Sequence, residues 1–87
     1  MFKPFYNEKF VKTYSKLPLS IQKKVDKQIK FLLNDLRHPS IQAKKLEGIQ
    51  DIWEGRVDRS YRFIFTIQGE TITFIAVGPH DKGLGKN

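Results

Sequence analysis

The 87-residue chain contains no cysteine. This excludes a disulfide framework and a thiolate zinc site, and it suits a reducing compartment. Histidine is scarce: His38 and His80 are too few for a histidine-built metal cage, so neither a metal nor another cofactor is expected. No apolar run reaches transmembrane length, and Met1-Phe2-Lys3-Pro4 opens no signal-like apolar stretch, so the sequence reads as cytoplasmic and without membrane contact. Repeats, low-complexity tracts and linkers are also missing, and the length fits one domain over residues 1–87. A domain this short buries only about 60% of the surface its unfolded chain exposes, which leaves room for a single core.

Acidic residues are sparse in the first half. Residues 1–45 carry eleven Lys and Arg against three Asp and Glu, whereas residues 46–87 carry five against six. The net charge of +7 therefore lies on the N-terminal side. Such a field draws polyanions, and lysines that neutralise phosphates make affinity fall steeply with salt. A solvated lysine-rich helical surface is the plainer interpretation of the same excess.

What is present divides into two periodicities. Residues 2–6 read as a short strand. Asn7 can cap a helix carrying Phe10, Val11, Tyr14 and Leu17 on one face. Pro18 opens a longer helix in which Ile21, Val25, Ile29, Leu32, Leu33 and Leu36 recur at spacings of three and four, with Lys23, Lys24, Lys27 and Lys30 on its other side. That helix ends before Pro39. Lys44 and Lys45 fall in an expected edge strand, where charge protects against edge pairing.

From residue 61 the period is two. Tyr61, Phe63, Phe65 and Ile67 form one face and Arg62, Ile64 and Thr66 the other. In the next strand Ile72, Phe74 and Ala76 are expected on the core side, and Thr71, Thr73, Ile75 and Val77 opposite. A two-residue turn at Gln68-Gly69 or Gly69-Glu70 joins like faces. If Asp58-Arg59-Ser60 is a three-residue loop, Arg56 lies directly across from Arg62, on the face away from the helices.

Like charges opposite each other destabilise a sheet, and an anion between them removes the penalty. Arginine suits phosphate because its planar fork binds two oxygens and keeps its charge. Alternatively, Glu54 or Asp58 neutralises Arg56, and Asp81 or a C-terminal carboxylate neutralises Arg62. His80 follows the third strand of this half, beside the strand of Arg62. An imidazole there can protonate a leaving oxygen, although a histidine beside Pro79 and Asp81 also suits a plain surface loop. His38 reads as a local cap, and Trp53 and Tyr61 as core aromatics.

In order, the strand, the helical hairpin, Lys44-Lys45-Leu46-Glu47-Gly48, Asp51-Ile52-Trp53-Glu54-Gly55-Arg56-Val57, Ser60-Tyr61-Arg62-Phe63-Ile64-Phe65 and Val77-Gly78-Pro79-His80-Asp81 resemble the RelE/ParE superfamily of bacterial and archaeal toxins. The resemblance covers essentially the whole chain. It implies an α+β fold, a twisted antiparallel sheet with an N-terminal helical hairpin packed on one face. RelE-like members are metal-independent ribonucleases that cut messenger RNA in the ribosomal decoding site and are held by an antitoxin. On that basis Arg62 and Arg56 take the phosphate, His80 is the general acid, and Lys44 falls at a position that activates the nucleophile or holds phosphate. Asp81 stands where one branch has a tyrosine, no pattern for the family's C-terminal helix follows Leu84, and the general base is open between Lys44, Glu47 and Glu54.

The function implied is the toxin of a type II toxin–antitoxin system, a ribosome-dependent messenger RNA endoribonuclease that inhibits translation. Lys23, Lys24, Lys27, Lys45 and Lys82 are the RNA-contacting candidates. Expected partners are a cognate antitoxin, messenger RNA and the ribosome, with the free toxin monomeric. Two other readings remain: a ParE-like inhibitor of DNA gyrase, and a degenerate module that binds antitoxin or RNA without cutting.

Overall fold

The structure, a computed structural model, describes residues 1–48 and 51–80. Its elements are β1 (Lys3–Tyr6), α1 (Glu8–Ser15), α2 (Leu19–Asn34), β2 (Lys44–Lys45), β3 (Trp53–Arg56), β4 (Tyr61–Gln68) and β5 (Thr71–Pro79). Asn7 starts α1 by accepting a hydrogen bond from the Phe10 amide at 2.8 Å, satisfying one of the donors a helix start leaves open. The Thr13 hydroxyl accepts from the Val77 amide at 3.1 Å and so fastens α1 to β5. Pro18, already at φ −56°, precedes α2, whose Val25, Ile29 and Leu32 are buried.

The five strands lie in the order β1-β5-β4-β3-β2, with the helices on one face. Phe63, Phe65, Phe74 and Ile72 from the sheet meet Phe10, Val25, Ile29 and Leu32 from the helices in the core cluster. Ile21 packs at its margin and is partly buried. The α+β class and the helical hairpin are as the sequence implies, and β2 is the expected edge strand.

The sheet is not wholly antiparallel, however: β1 runs parallel to β5, pairing Lys3 with Thr71 and Tyr6 with Phe74. A hairpin forces antiparallel pairing, but β1 reaches β5 only after both helices and the remaining strands, so no tight turn dictates its direction. Val11 is a second difference. It was expected on the packed face of α1 but is 54% exposed.

The third difference concerns β5. Gly69 at φ +59° and Glu70 form the two-residue turn, and pairing proceeds from Gln68 and Thr71 to Phe65 and Phe74. Ile64 then pairs with Ala76, so Ile75 is an extra residue at a β-bulge. Beyond the bulge the alternation is inverted. Val77 lies opposite Phe63 and joins the core cluster, while Ala76 lies opposite Ile64 on the face away from the helices.

Candidate functional site

The loop from Val57 to Tyr61 is short because Asp58 organises it. Its Oδ1 accepts from the amides of Ser60 at 2.8 Å and Tyr61 at 2.9 Å, and the Val57 amide donates to the Tyr61 carbonyl at 3.0 Å. Desolvation opposes the Asp58 carboxylate, but the two amide bonds and Lys24 at 3.2 Å outweigh it and hold its pKa below the ordinary value. This closure places Arg56 and Arg62 directly opposite each other. The Arg56 amide and carbonyl are bonded to Ile41 and Gln28 instead of β4. The two arginines thus form a non-hydrogen-bonded pair, the closer of the two antiparallel spacings.

Two cross-strand rows build the face away from the helices. Lys44, Glu54, Ile64 and Ala76 form one, and Arg56, Arg62 and Gly78 the next. Gly78 presents no side chain opposite Arg62. His80 lies two residues further along, its amide held by the Ser60 carbonyl at 2.7 Å. The bulge at Ile75 is what brings His80 to the arginine face, since unbroken alternation from Phe74 would give His80 the parity of the core residues and turn its side chain towards the helices.

A cavity of about 230 Å³ results, lined by Gln42, Lys44, Glu54, Gly55, Arg56, Arg62 and His80. Among the described residues neither guanidinium has a carboxylate within ion-pair distance. Asp58 pairs with Lys24 instead, and Glu54 lies 3.9 Å from Lys44. Arg62 is anchored through Nη1, which donates to the carbonyls of Asp58 and Tyr61. Glu54 is only 5% exposed, and the Nδ1 of His80 is buried with no hydrogen-bond partner among the described residues. The arrangement can hold an anion, accept a proton at a carboxylate and exchange one at an imidazole. No group of three or more His, Asp and Glu side chains converges on a metal-binding geometry among the described residues.

The remaining candidates are dispersed. Glu47 is exposed in the turn after β2 and does not line the cavity. Lys45 pairs across from Trp53 with its Nζ 5.8 Å from that ring, on the opposite face from Lys44. Lys23, Lys24 and Lys27 are exposed on α2, across the sheet from the cavity. Lys82 and Asp81 lie outside the described residues. His38 is local, as expected, stacked 4.1 Å from the Phe31 ring centroid and bonded to Ser40.

Sequence reasoning missed Gln28 and Gln42. Gln28 had a visible signal, a polar residue three positions from Val25 and four from Leu32 on the buried side of α2. Gln42 had none in the pattern; its φ of +51° emerges only from the folded loop.

Ile64 and Ile75 of β4 and β5 offer little exposed apolar surface, as Ile64 is buried and Ile75 half-buried. Apolar surface lies on the helix side instead. There Tyr6, Phe10, Val11, Tyr14, Ile29 and Leu33 line a groove of about 480 Å³ that also contains Asp26 and Lys30. Within it the Tyr14 hydroxyl donates to Asp26 at 2.8 Å, and burial together with that carboxylate pushes the phenol up to about 12.

A small mixed sheet, two helices on one face and a cationic cavity on the other define a RelE-like α+β fold. Solved structures agree. The chain superposes on an archaeal RelE–RelB complex from Pyrococcus horikoshii OT3 with a TM-score of 0.75 at 18% identity, covering 94% of this chain and 98% of that one. The isolated E. coli RelE toxin gives 0.75 at 21% identity, covering 95% and 88%. The E. coli DinJ–YafQ complex gives 0.72 at 14% identity, covering 92% and 94%. No protein-family model matches the chain, and no curated protein does.

Proposed function

We propose that this chain is the toxin of a toxin–antitoxin pair and acts as a metal-independent endoribonuclease on messenger RNA in the ribosome, halting translation. The toxin reading is supported by the fold, shared with RelE and YafQ proteins, two of which were solved as RelE–RelB and DinJ–YafQ complexes. The nuclease reading rests on one observation: Arg56, Arg62, His80, Lys44 and Glu54 line the same cavity on the face away from the helices.

In the proposed reaction the ribose 2′-hydroxyl attacks its own phosphodiester and its proton passes to Glu54. A carboxylate can accept that proton directly, whereas the ammonium of Lys44 must first lose one of its own. Arg56 and Arg62 hold the nonbridging oxygens, where negative charge grows in the transition state. The bond to the 5′-oxygen breaks, His80 protonates that oxygen, and a 2′,3′-cyclic phosphate and a 5′-hydroxyl result. DNA lacks the attacking hydroxyl and is not a substrate.

The partner is a cognate antitoxin. The groove beside α1 offers an apolar floor with Lys30 and Asp26 among its lining residues, which suits an amphipathic segment that orders on binding and turns an acidic side chain towards Lys30. The free toxin is monomeric.

Single-turnover cleavage on programmed ribosomes tests the nuclease. His80→Ala should leave ribosome binding intact and slow cleavage roughly 10²- to 10⁴-fold. Arg62→Ala should reduce cleavage more than binding. Full activity in His80→Ala removes the imidazole from the mechanism. DNA-damage signalling on expression, without cut transcripts, would replace the nuclease with a gyrase inhibitor, and no growth effect would leave a binding module. If the product of the neighbouring gene does not bind the chain even at low salt, the antitoxin claim fails.

A further inference from the structure

Helix α2 lies across the sheet from the cavity, yet one of its side chains reaches the backbone of an arginine that lines it. At Arg56 strand β3 has run past the end of β2, which pairs only with Trp53 and Glu54. The outward amide and carbonyl of Arg56 therefore have no neighbouring strand. Left unpaired in the interior, such groups carry a full desolvation penalty. The amide is satisfied by the Ile41 carbonyl at 2.7 Å. The carbonyl is satisfied by Nε2 of Gln28 at 2.9 Å.

Gln28 is 6% exposed. Its Nε2 also donates to the Ser40 carbonyl at 3.1 Å, and its Oε1 accepts from the Ser40 hydroxyl at 3.3 Å. The Ser40 Oγ and amide in turn lie 2.9 and 3.3 Å from Nδ1 of His38, which is stacked flat on Phe31 of the same helix. One amide side chain thus joins α2, the loop carrying Ser40 and Ile41, and the end of β3. A backbone pinned on both its amide and its carbonyl fixes where the Arg56 side chain departs from the sheet. Such restraint is needed because Arg62 stands directly opposite and repels it.

We propose that Gln28 is a positioning residue for Arg56, setting the spacing of the two guanidinium groups from the far side of the sheet. The kinetic part of this proposal rests on the nuclease reading above. Gln28→Met keeps the length of an unbranched side chain and removes both donors and the acceptor. Gln28→Glu keeps the acceptor for Ser40 and is the second variant should the first not fold.

The experiment is a double-mutant cycle in single-turnover cleavage on programmed ribosomes, using full-length protein. Gln28→Met should lower the rate at saturation about 10- to 100-fold, the order expected when a catalytic group shifts by an ångström, with half-saturation changed less than about twofold. In an Arg56→Ala background the same substitution should change the rate less than about twofold, because the group it positions is already gone. A merely structural role would give equal falls in both backgrounds. That result, or no fall in either, overturns the proposal.

Nitrogen-15 NMR of the arginine side chains reads the same restraint without any reaction. The Arg56 Nε–Hε resonance should shift or broaden in Gln28→Met while that of Arg62 is retained. If the wild-type chain cuts no RNA, the nuclease reading fails by itself and this spectrum decides the positioning claim, an unchanged Arg56 resonance overturning it.

Discussion

Gly55→Ala should destabilise the protein although it adds only a methyl group to a strand with ordinary φ. Gly55 pairs across from Phe63 on the core side of the sheet. A Cβ there would lie 2.7 Å from Cε1 and 3.0 Å from Cζ of Phe63, and 3.1 Å from Cγ2 of Ile41. Carbon atoms prefer separations of about 3.5–4.0 Å, so the ring must retreat by nearly 1 Å. It cannot do so freely, because Phe63 is fully buried with its ring centroid 5.8 Å from Phe65 and 5.6 Å from Phe74.

Overpacking of this kind costs about 1–3 kcal/mol. Against it stands a gain of about 0.4–1 kcal/mol from restricting the unfolded chain. Taking the middle of each range, about 2 against about 0.7, the clash wins and leaves a net loss of about 1.3 kcal/mol. In a domain of this size each kcal/mol moves Tm by about 4–8 °C, so thermal unfolding followed by circular dichroism should show a drop of several degrees or more. Shortening the ring should relieve most of the strain, and Gly55→Ala should cost less in a Phe63→Leu background than in the wild type. A Tm equal to or above wild type in Gly55→Ala would refute the reasoning, and strictly additive costs would show that Phe63 is not the obstacle.

Phe65→Ala, which empties a fully buried site, should cost about 3–5 kcal/mol in chemical denaturation, and a cost under 1 kcal/mol would contradict its place in the core. Asp58 titrates below its ordinary 3.8 in the folded state, so its stabilising contribution is present above the unfolded pKa and lost as pH falls through the lower folded value. Asp58→Asn should flatten the fall in stability below about pH 4, and an unchanged acid limb would count against that linkage. Replacing Lys23 and Lys27 with alanine should weaken ribosome binding and reduce its salt dependence while leaving the single-turnover rate at saturation unchanged; a slower chemical step would bring these lysines into the reaction itself.

The local pattern of the sequence was enough for the two helices, the strand alternation through Phe63 and Phe65, the lysine-bearing edge at β2 and the pairing of Arg56 with Arg62. Each depends on interactions within a few residues, such as the Asn7 cap, the helical spacing of Val25, Ile29 and Leu32, or the length of the Asp58 loop. Such short-range preferences are written into neighbouring side chains.

Only the tertiary structure decided the parallel pairing of β1 with β5, the burial of Ile64 and the bulge at Ile75 that turns His80 towards the arginines. It alone decided that Gln28 reaches the carbonyl of Arg56 from the other layer. These features depend on partners remote in the chain, or on one residue of strand register. Alternation cannot signal an inserted residue whose side chain is as apolar as its neighbours. A buried amide declares its purpose only when the unpaired backbone it satisfies has been brought beside it.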